Sequence, residues 1–167
     1  LDGRRGPRRL GEVAEGDLLE TVVKLRADPA IPGRMVQWPL TRRCNSERGL
    51  QRIDPAQDVD GFHPVNVGKL VTGDRTAFRP ATPYGVQQML IRSGIETQGP
   101  HAVTVGRSNI VGKPMANLLL QQCPGGDATC TVYHAKTRHP PGICRSADIL
   151  LRAEWQQDVV SSGKVRG

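Results

Sequence analysis

The stretch from His101 to Leu120, HAVTVGRSNIVGKPMANLLL, decides how this chain folds. Its apolar, β-branched run, Ala102 to Val105, ends at a glycine, Gly106. A helical pattern starts at Pro114, with Met115, Leu118 and Leu119 on one face and proline at the first helical position, where a missing N–H costs nothing. Strand, tight loop and helix in that order leave the loop's N–H groups and the positive end of the helix beyond the strand's carboxyl end. That suits an anion such as a dinucleotide pyrophosphate. The loop reads Gly106-x-Ser108-x-x-x-Gly112-x-Pro114 rather than the common G-x-G-x-x-G. A plain β-α connection whose glycines serve only the turn is the competing reading.

Working outward, Ala128 to Tyr133 (ATCTVY) and Ala147 to Leu151 (ADILL) read as two further strands. Parallel strands with crossovers make the front half of a doubly wound α/β sheet. At the end of the second strand, where an NAD-selective fold places an acid for the ribose hydroxyls, stand His134, Ala135, Lys136, Thr137 and Arg138. Basic groups there suit the 2′-phosphate of NADP, and equally they can solvate a loop. Upstream, Thr82-Pro83 marks a helix start with Thr82 as N-cap, Val86, Met89 and Leu90 as its apolar stripe and Gly94 as its stop.

The first part of the chain is sparser in signals. Asp17 is expected to cap a helix with Glu20 in a capping-box-like pair and Leu18, Val22 and Leu25 inward, ending at Asp28-Pro29. Arg34 to Trp38 reads as a short, largely apolar strand whose arginine must escape to solvent, with Gln37 as a polar group near its carboxyl end. Glu47 to Ile53 reads as two helical turns. The loop Asp58-Val59-Asp60-Gly61-Phe62-His63-Pro64 has two carboxylates and a histidine, too few ligands for a metal, and Asx-turn chemistry is its default reading.

Composition sets the outer limits. The chain's 167 residues make one ordinary domain or two small ones, and 37% hydrophobic with 4% aromatic residues implies a core of Val, Leu, Ile and Ala. A net charge of +7 invites a nucleic-acid reading. The basic residues are scattered, however, and no RNP-like aromatic pair or recognition helix is present, so small polyanionic ligands rank ahead of nucleic acid. Cys44, Cys123, Cys130 and Cys144 show no metal-ligand spacing and read as free thiols. No apolar run approaches the roughly 18 residues of a membrane helix, and no apolar leader is visible, so a soluble, cytoplasmic protein is expected. A mitochondrial or plastid location is the eukaryotic alternative.

Four ordered motifs then carry a resemblance: VQWPL (Val36 to Leu40), DVDGFHPVNVG (Asp58 to Gly68), PATPYGV (Pro80 to Val86) and VGRSNIVGKP (Val105 to Pro114). In this order and at these separations, the chain from about Asp17 to Ile149 resembles the bifunctional methylenetetrahydrofolate dehydrogenase/methenyltetrahydrofolate cyclohydrolase family. The resemblance implies NADP-dependent oxidation of 5,10-methylenetetrahydrofolate, with NAD used in some branches, and hydrolysis of the 5,10-methenyl product to 10-formyltetrahydrofolate. It implies a partial two-domain α/β protein. Residues 1–82 would be the remnant of a folate-binding domain, 83–97 a connecting helix and 98–167 a partial Rossmann-like NAD(P)-binding domain. Tetrahydrofolate derivatives and NADP are the implied partners, with homodimerisation through the nucleotide domain.

By the same resemblance Gln37 and Asp60 are the catalytic residues of the folate side. Asp60 can meet the donor fork of the pterin ring with two parallel hydrogen bonds. Gly106, Arg107, Ser108, Ile110 and Gly112 would hold the cofactor's pyrophosphate and ribose, Thr82 would lie near the nicotinamide, and His134 and Lys136 near the adenosine end. The family's Y-x-x-x-K pair lies upstream of the VQ-x-PL strand by more residues than precede it here, and Leu151-Arg152-Ala153-Glu154-Trp155 stands in place of an Ala-x-Gly-x-Pro turn. The chain therefore reads as the middle of such a protein, expected to bind NADP weakly and to be inactive by itself.

Overall fold

The computed structural model describes residues 14–36 and 44–153. Contacts divide the chain into two compact units, Leu1–Asp58 and Val59–Gly167.

In the first unit, α1 (Glu15–Arg26) packs on α2 (Ser46–Arg52), followed by a short 3-10 turn, Pro55–Gln57. Val22, Val36 and Ile53 form its core, with Leu18 and Leu50 against them. Helix α1 starts at Glu15, two residues before the expected cap, so Asp17 is an acid in the first turn and makes no cap. Glu15 ties the two helices instead. Its carboxylate accepts from Asn45 N–H at 2.8 Å and from Arg48 Nη1 at 2.6 Å. These two donors, the backbone one first, hold its pKa below the ordinary carboxylate value.

Arg34 does not escape to solvent. It is 7% exposed, and its guanidinium donates to the Gln57 side-chain oxygen and to the carbonyls of Leu25 and Asp28. Leu25 O and Asp28 O each accept one backbone N–H and keep a lone pair for the guanidinium, at the negative end of the α1 dipole. Of the expected strand, Arg34 forms a single parallel bridge to Asp58, and Gln37 and Trp38 lie outside the described residues.

The second unit contains α3 (Pro64–Thr72), α4 (Ala81–Arg92), β1 (His101–Val105), α5 (Gly112–Leu119), β2 (Thr129–Tyr133), α6 (Pro140–Arg145) and β3 (Ile149–Arg152). The three strands are parallel in the order β2-β1-β3, each within about two residues of its sequence expectation. Alternation along β1 turns Ala102 and Thr104 to one face and Val103 and Val105 to the other. On the first face Ala102 packs with Leu70 of α3, Leu90 of α4, and Met115, Leu118 and Leu119 of α5. On the second, Val103 and Val105 pack with Tyr133, Cys144, Ile143 and Leu150. Each fully buried leucine contributes about 1.5–3 kcal/mol. Thr104 Oγ1 is buried and finds no partner among the described residues, a cost of about 1–3 kcal/mol that the surrounding core outweighs.

Helix α4, expected to be a connector, packs on α5 within the sheet unit. Met89 of its expected apolar stripe is 68% exposed, whereas Gln87 is buried. The Gln87 amide donates to Leu118 O at 3.2 Å and Gly125 O at 3.0 Å, closing the chain end of α5 and the turn behind it. The buried amide is tolerated because its N–H₂ finds two carbonyl acceptors. Among the described residues no helix is long and apolar enough to cross a membrane.

Candidate functional site

The chain leaves β1 through α5 to reach β2 on one side, then through α6 to reach β3 on the other. The strand order reverses at β1. In open parallel sheets the crevice outside the carboxyl ends at such a point is where ligands bind. Val105 at the end of β1 pairs with Tyr133 and with Arg152, so the residues that follow all three strands gather at one edge.

The loop after β1 is held rigidly from within. Gly106 has φ +113°, open to glycine and strained for other residues, and donates to Tyr133 O at 2.7 Å. Ser108 Oγ accepts from Val111 N–H at 3.1 Å and Gly112 N–H at 3.3 Å, and Ser108 O accepts from Lys113 N–H at 3.0 Å. A Cβ on Gly112 would fall 2.1 Å from Gly106 O, so only glycine lets the two ends of the loop meet.

Helix α5 therefore begins at Gly112, two residues before the sequence expectation, with Pro114 third. The first turn has no N–H acceptor to lose at any of these positions, so proline fits third as well as first. This changes which groups can meet an anion. Gly112 and Lys113 are already bonded to Ser108, and Pro114 has no N–H. The donors left are the N–H groups of Arg107, Ser108, Asn109 and Ile110, four exposed residues that donate to nothing else among the described residues. The Ser108 hydroxyl hydrogen is also left for an outside acceptor.

After β2 the chain makes a tight turn. His134 N–H donates to Thr137 Oγ1 at 2.9 Å, Thr137 N–H to His134 O at 2.8 Å, and Lys136 N–H to His134 Nδ1 at 3.1 Å. The accepting Nδ1 leaves the ring hydrogen of neutral His134 on Nε2. Lys136 and Arg138 project into solvent beyond this turn, and no acid stands from His134 to Arg138.

Thr82 is the second residue of α4 and exposed, not its cap; the helix starts at Ala81, with Pro80 before it and Pro83 third. Beside it the Arg79 guanidinium lies 5.0 Å from the Tyr84 ring centre. Asp60 is half-buried in a turn made by Gly61, whose φ is +69° and whose added Cβ would meet Phe78 O at 2.4 Å. His63 Nδ1 then caps α3, accepting from Val65 N–H at 3.2 Å, with Pro64 at the first helical position. This helix was missed in the sequence, although Pro64 and the left-handed Gly73 at its end both mark it. Ile110 and Arg107 are exposed on the loop, and Gln37 lies outside the described residues.

Residues 80–167, more than half of the chain, match the family model of the NAD(P)-binding domain of tetrahydrofolate dehydrogenase/cyclohydrolase. The chain belongs to the tetrahydrofolate dehydrogenase/cyclohydrolase family. Over 150 residues it is 51% identical to the bifunctional protein FolD of Dehalococcoides mccartyi, covering 90% of this chain and 50% of that protein. The FolD methylenetetrahydrofolate dehydrogenase/cyclohydrolase of Campylobacter jejuni matches with a TM-score of 0.86 at 37% identity, over 93% of this chain and 54% of that one. The Trypanosoma brucei enzyme, solved with NADP cofactor and an inhibitor, matches with a TM-score of 0.84 at 33% identity, over 93% and 52%. The chain spans about half the length of the curated relatives it matches. The tetrahydrofolate dehydrogenase/cyclohydrolase NAD(P)-binding domain, as matched here, takes in α4, the Gly106–Gly112 loop and the turn after β2.

Proposed function

We propose that this chain is the dinucleotide-binding portion, with part of the folate-binding portion, of an enzyme that oxidises 5,10-methylenetetrahydrofolate with NADP and hydrolyses the methenyl product to 10-formyltetrahydrofolate. The observation that carries the reading is the loop itself. Four exposed residues, Arg107 to Ile110, whose N–H groups have no acceptor among the described residues, follow β1 at the switch point of a parallel sheet, in a turn closed at Gly112.

Gly106, Arg107, Ser108, Ile110 and Gly112 hold the pyrophosphate and its ribose, and Thr82 lies toward the nicotinamide. His134 and Lys136, with Arg138, face the adenosine 2′-phosphate, which is why NADP is preferred to NAD. When bound, the nicotinamide supplies the hydride acceptor. The chain's own task is alignment, since fixing two reactants in one geometry removes much of the entropic barrier. Asp60 orients the pterin through its amino and ring N–H groups, and Gln37 is assigned to the folate chemistry by the family resemblance alone. In the complete protein, a homodimer joined through the nucleotide domain and a cytoplasmic location complete this reading.

A calorimetric titration of the 167-residue chain with NADP, and then NAD, with and without a folate analogue, tests it. Expected are a weak, saturable NADP signal, a weaker one for NAD, and no cyclohydrolase turnover, because these residues hold no Y-x-x-x-K pair. No heat with either dinucleotide contradicts the reading. NADP binding unaffected by any folate analogue would reduce it to a dinucleotide module without folate chemistry.

A further inference from the structure

Lys113 is the second residue of α5, at the positive end of the helix dipole, and no acidic side chain stands in the first turn to offset it. Its ammonium turns back over the loop and donates to Asn109 Oδ1 at 2.7 Å, with both residues exposed. The amide oxygen is neutral, so the charge stays uncompensated. Arg107 adds a second exposed cation, and no acid occurs anywhere from Gly106 to Leu119. Meanwhile the helix has spent its own leading donors: Gly112 and Lys113 N–H on Ser108, and Pro114 with none to give.

We infer that Lys113 is a ligand of the dinucleotide's pyrophosphate, giving up Asn109 Oδ1 for a phosphate oxygen when the cofactor enters. The inference rests on the dinucleotide reading of the loop. Position selects the pyrophosphate over the 2′-phosphate. In doubly wound sheets the pyrophosphate sits at the start of the helix after the first strand of the unit, and the 2′-phosphate lies beyond the second strand. Lys113 belongs to the former place, Lys136 and Arg138 to the latter. A lysine here opposes the helix when no ligand is present and favours the ligand when one is. It supplies the charge that the occupied helix donors no longer offer.

Because NAD and NADP share the pyrophosphate, Lys113 contributes equally to both. The test compares the wild-type chain with Lys113→Gln and Lys113→Arg, titrating NADP and NAD and recording thermal unfolding without ligand. Lys113→Gln is expected to raise Kd for both dinucleotides by the same factor, about three- to tenfold. The same change raises the ligand-free melting temperature by about 1–3 °C, since a cation leaves the positive helix end. Lys113→Arg, which keeps the cation, keeps the affinity. Unchanged affinity in Lys113→Gln overturns the inference, and a loss confined to NADP overturns it by placing the ammonium at the 2′-phosphate. A loss of affinity together with a lower ligand-free melting temperature overturns it too, by reducing Lys113 to a strut for the loop. A wild-type chain that binds neither dinucleotide defeats the loop reading itself, before any variant is compared.

Discussion

Gly112→Ala is expected to abolish dinucleotide binding and to destabilise the chain. The added Cβ would lie 2.1 Å from Gly106 O and 2.6 Å from its carbonyl carbon, and both are backbone atoms that cannot rotate away. Either the loop opens or α5 shifts along β1, where Met115, Leu118 and Leu119 are buried against the sheet. Forcing atoms into a packed site costs about 1–3 kcal/mol, and opening the loop undoes the Ser108 bonds to Val111 and Gly112 that shape the segment carrying the four unused N–H groups. Alanine would otherwise favour a helix by up to about 1 kcal/mol over glycine. Gly85, in the interior of α4, is the natural control, because a Cβ added there would meet nothing within 4 Å. Gly85→Ala should bind NADP as wild type does and unfold at slightly higher denaturant. Denaturation midpoints and NADP titrations on both variants check this. An undiminished NADP affinity in Gly112→Ala would show that the loop's shape is irrelevant to binding.

Gly61→Ala carries the second large effect, on the folate side. Two penalties combine at this position. A φ of +69° costs a residue with a Cβ about 1–2 kcal/mol, and that Cβ would press on Phe78 O at 2.4 Å. The turn must therefore move, taking the neighbouring Asp60 with it. Binding of a folate analogue is expected to fall at least tenfold, equivalent to about 1.4 kcal/mol, while NADP affinity changes by less than a factor of two. Paired titrations separate these outcomes. Equal loss of both ligands would mean that the substitution unfolds the unit rather than displacing a carboxylate.

These effects bear on what the sequence makes legible. The three strands can be read from it because parallel strands covered on both faces are continuous apolar runs, and Ala102 to Val105 is one. The helix starts differ from expectation by one common physical rule. Pro83 and Pro114 both stand third in their helices, because the first turn has no N–H acceptor within the helix and tolerates proline throughout. Asp17 fails as a cap for a similar reason, since an acid anywhere in the first turn is favourable.

Burial is less legible where a polar group finds partners from elsewhere in the chain. Arg34 goes inside because the end of α1 offers carbonyls, and Gln87 because Leu118 and Gly125 do. The Gln87 partners lie 31 and 38 residues away, and those of Arg34 nine and six residues back, beyond the end of a helix. Ser108 is a different case, exposed and with partners three and four residues on. Its place in the motif marks the loop, but only the structure shows its oxygen taking two of the N–H groups at the helix start, which leaves those of Arg107 through Ile110 for the proposed anion site.

The most direct measurement is a titration of the isotope-labelled chain with NADP, following each backbone amide by nuclear magnetic resonance. The expected result is that the largest saturable shifts fall on Arg107, Ser108, Asn109 and Ile110, with smaller ones after β2 at His134 to Arg138. Saturable binding that leaves those four amides unmoved would contradict the loop as the phosphate cradle.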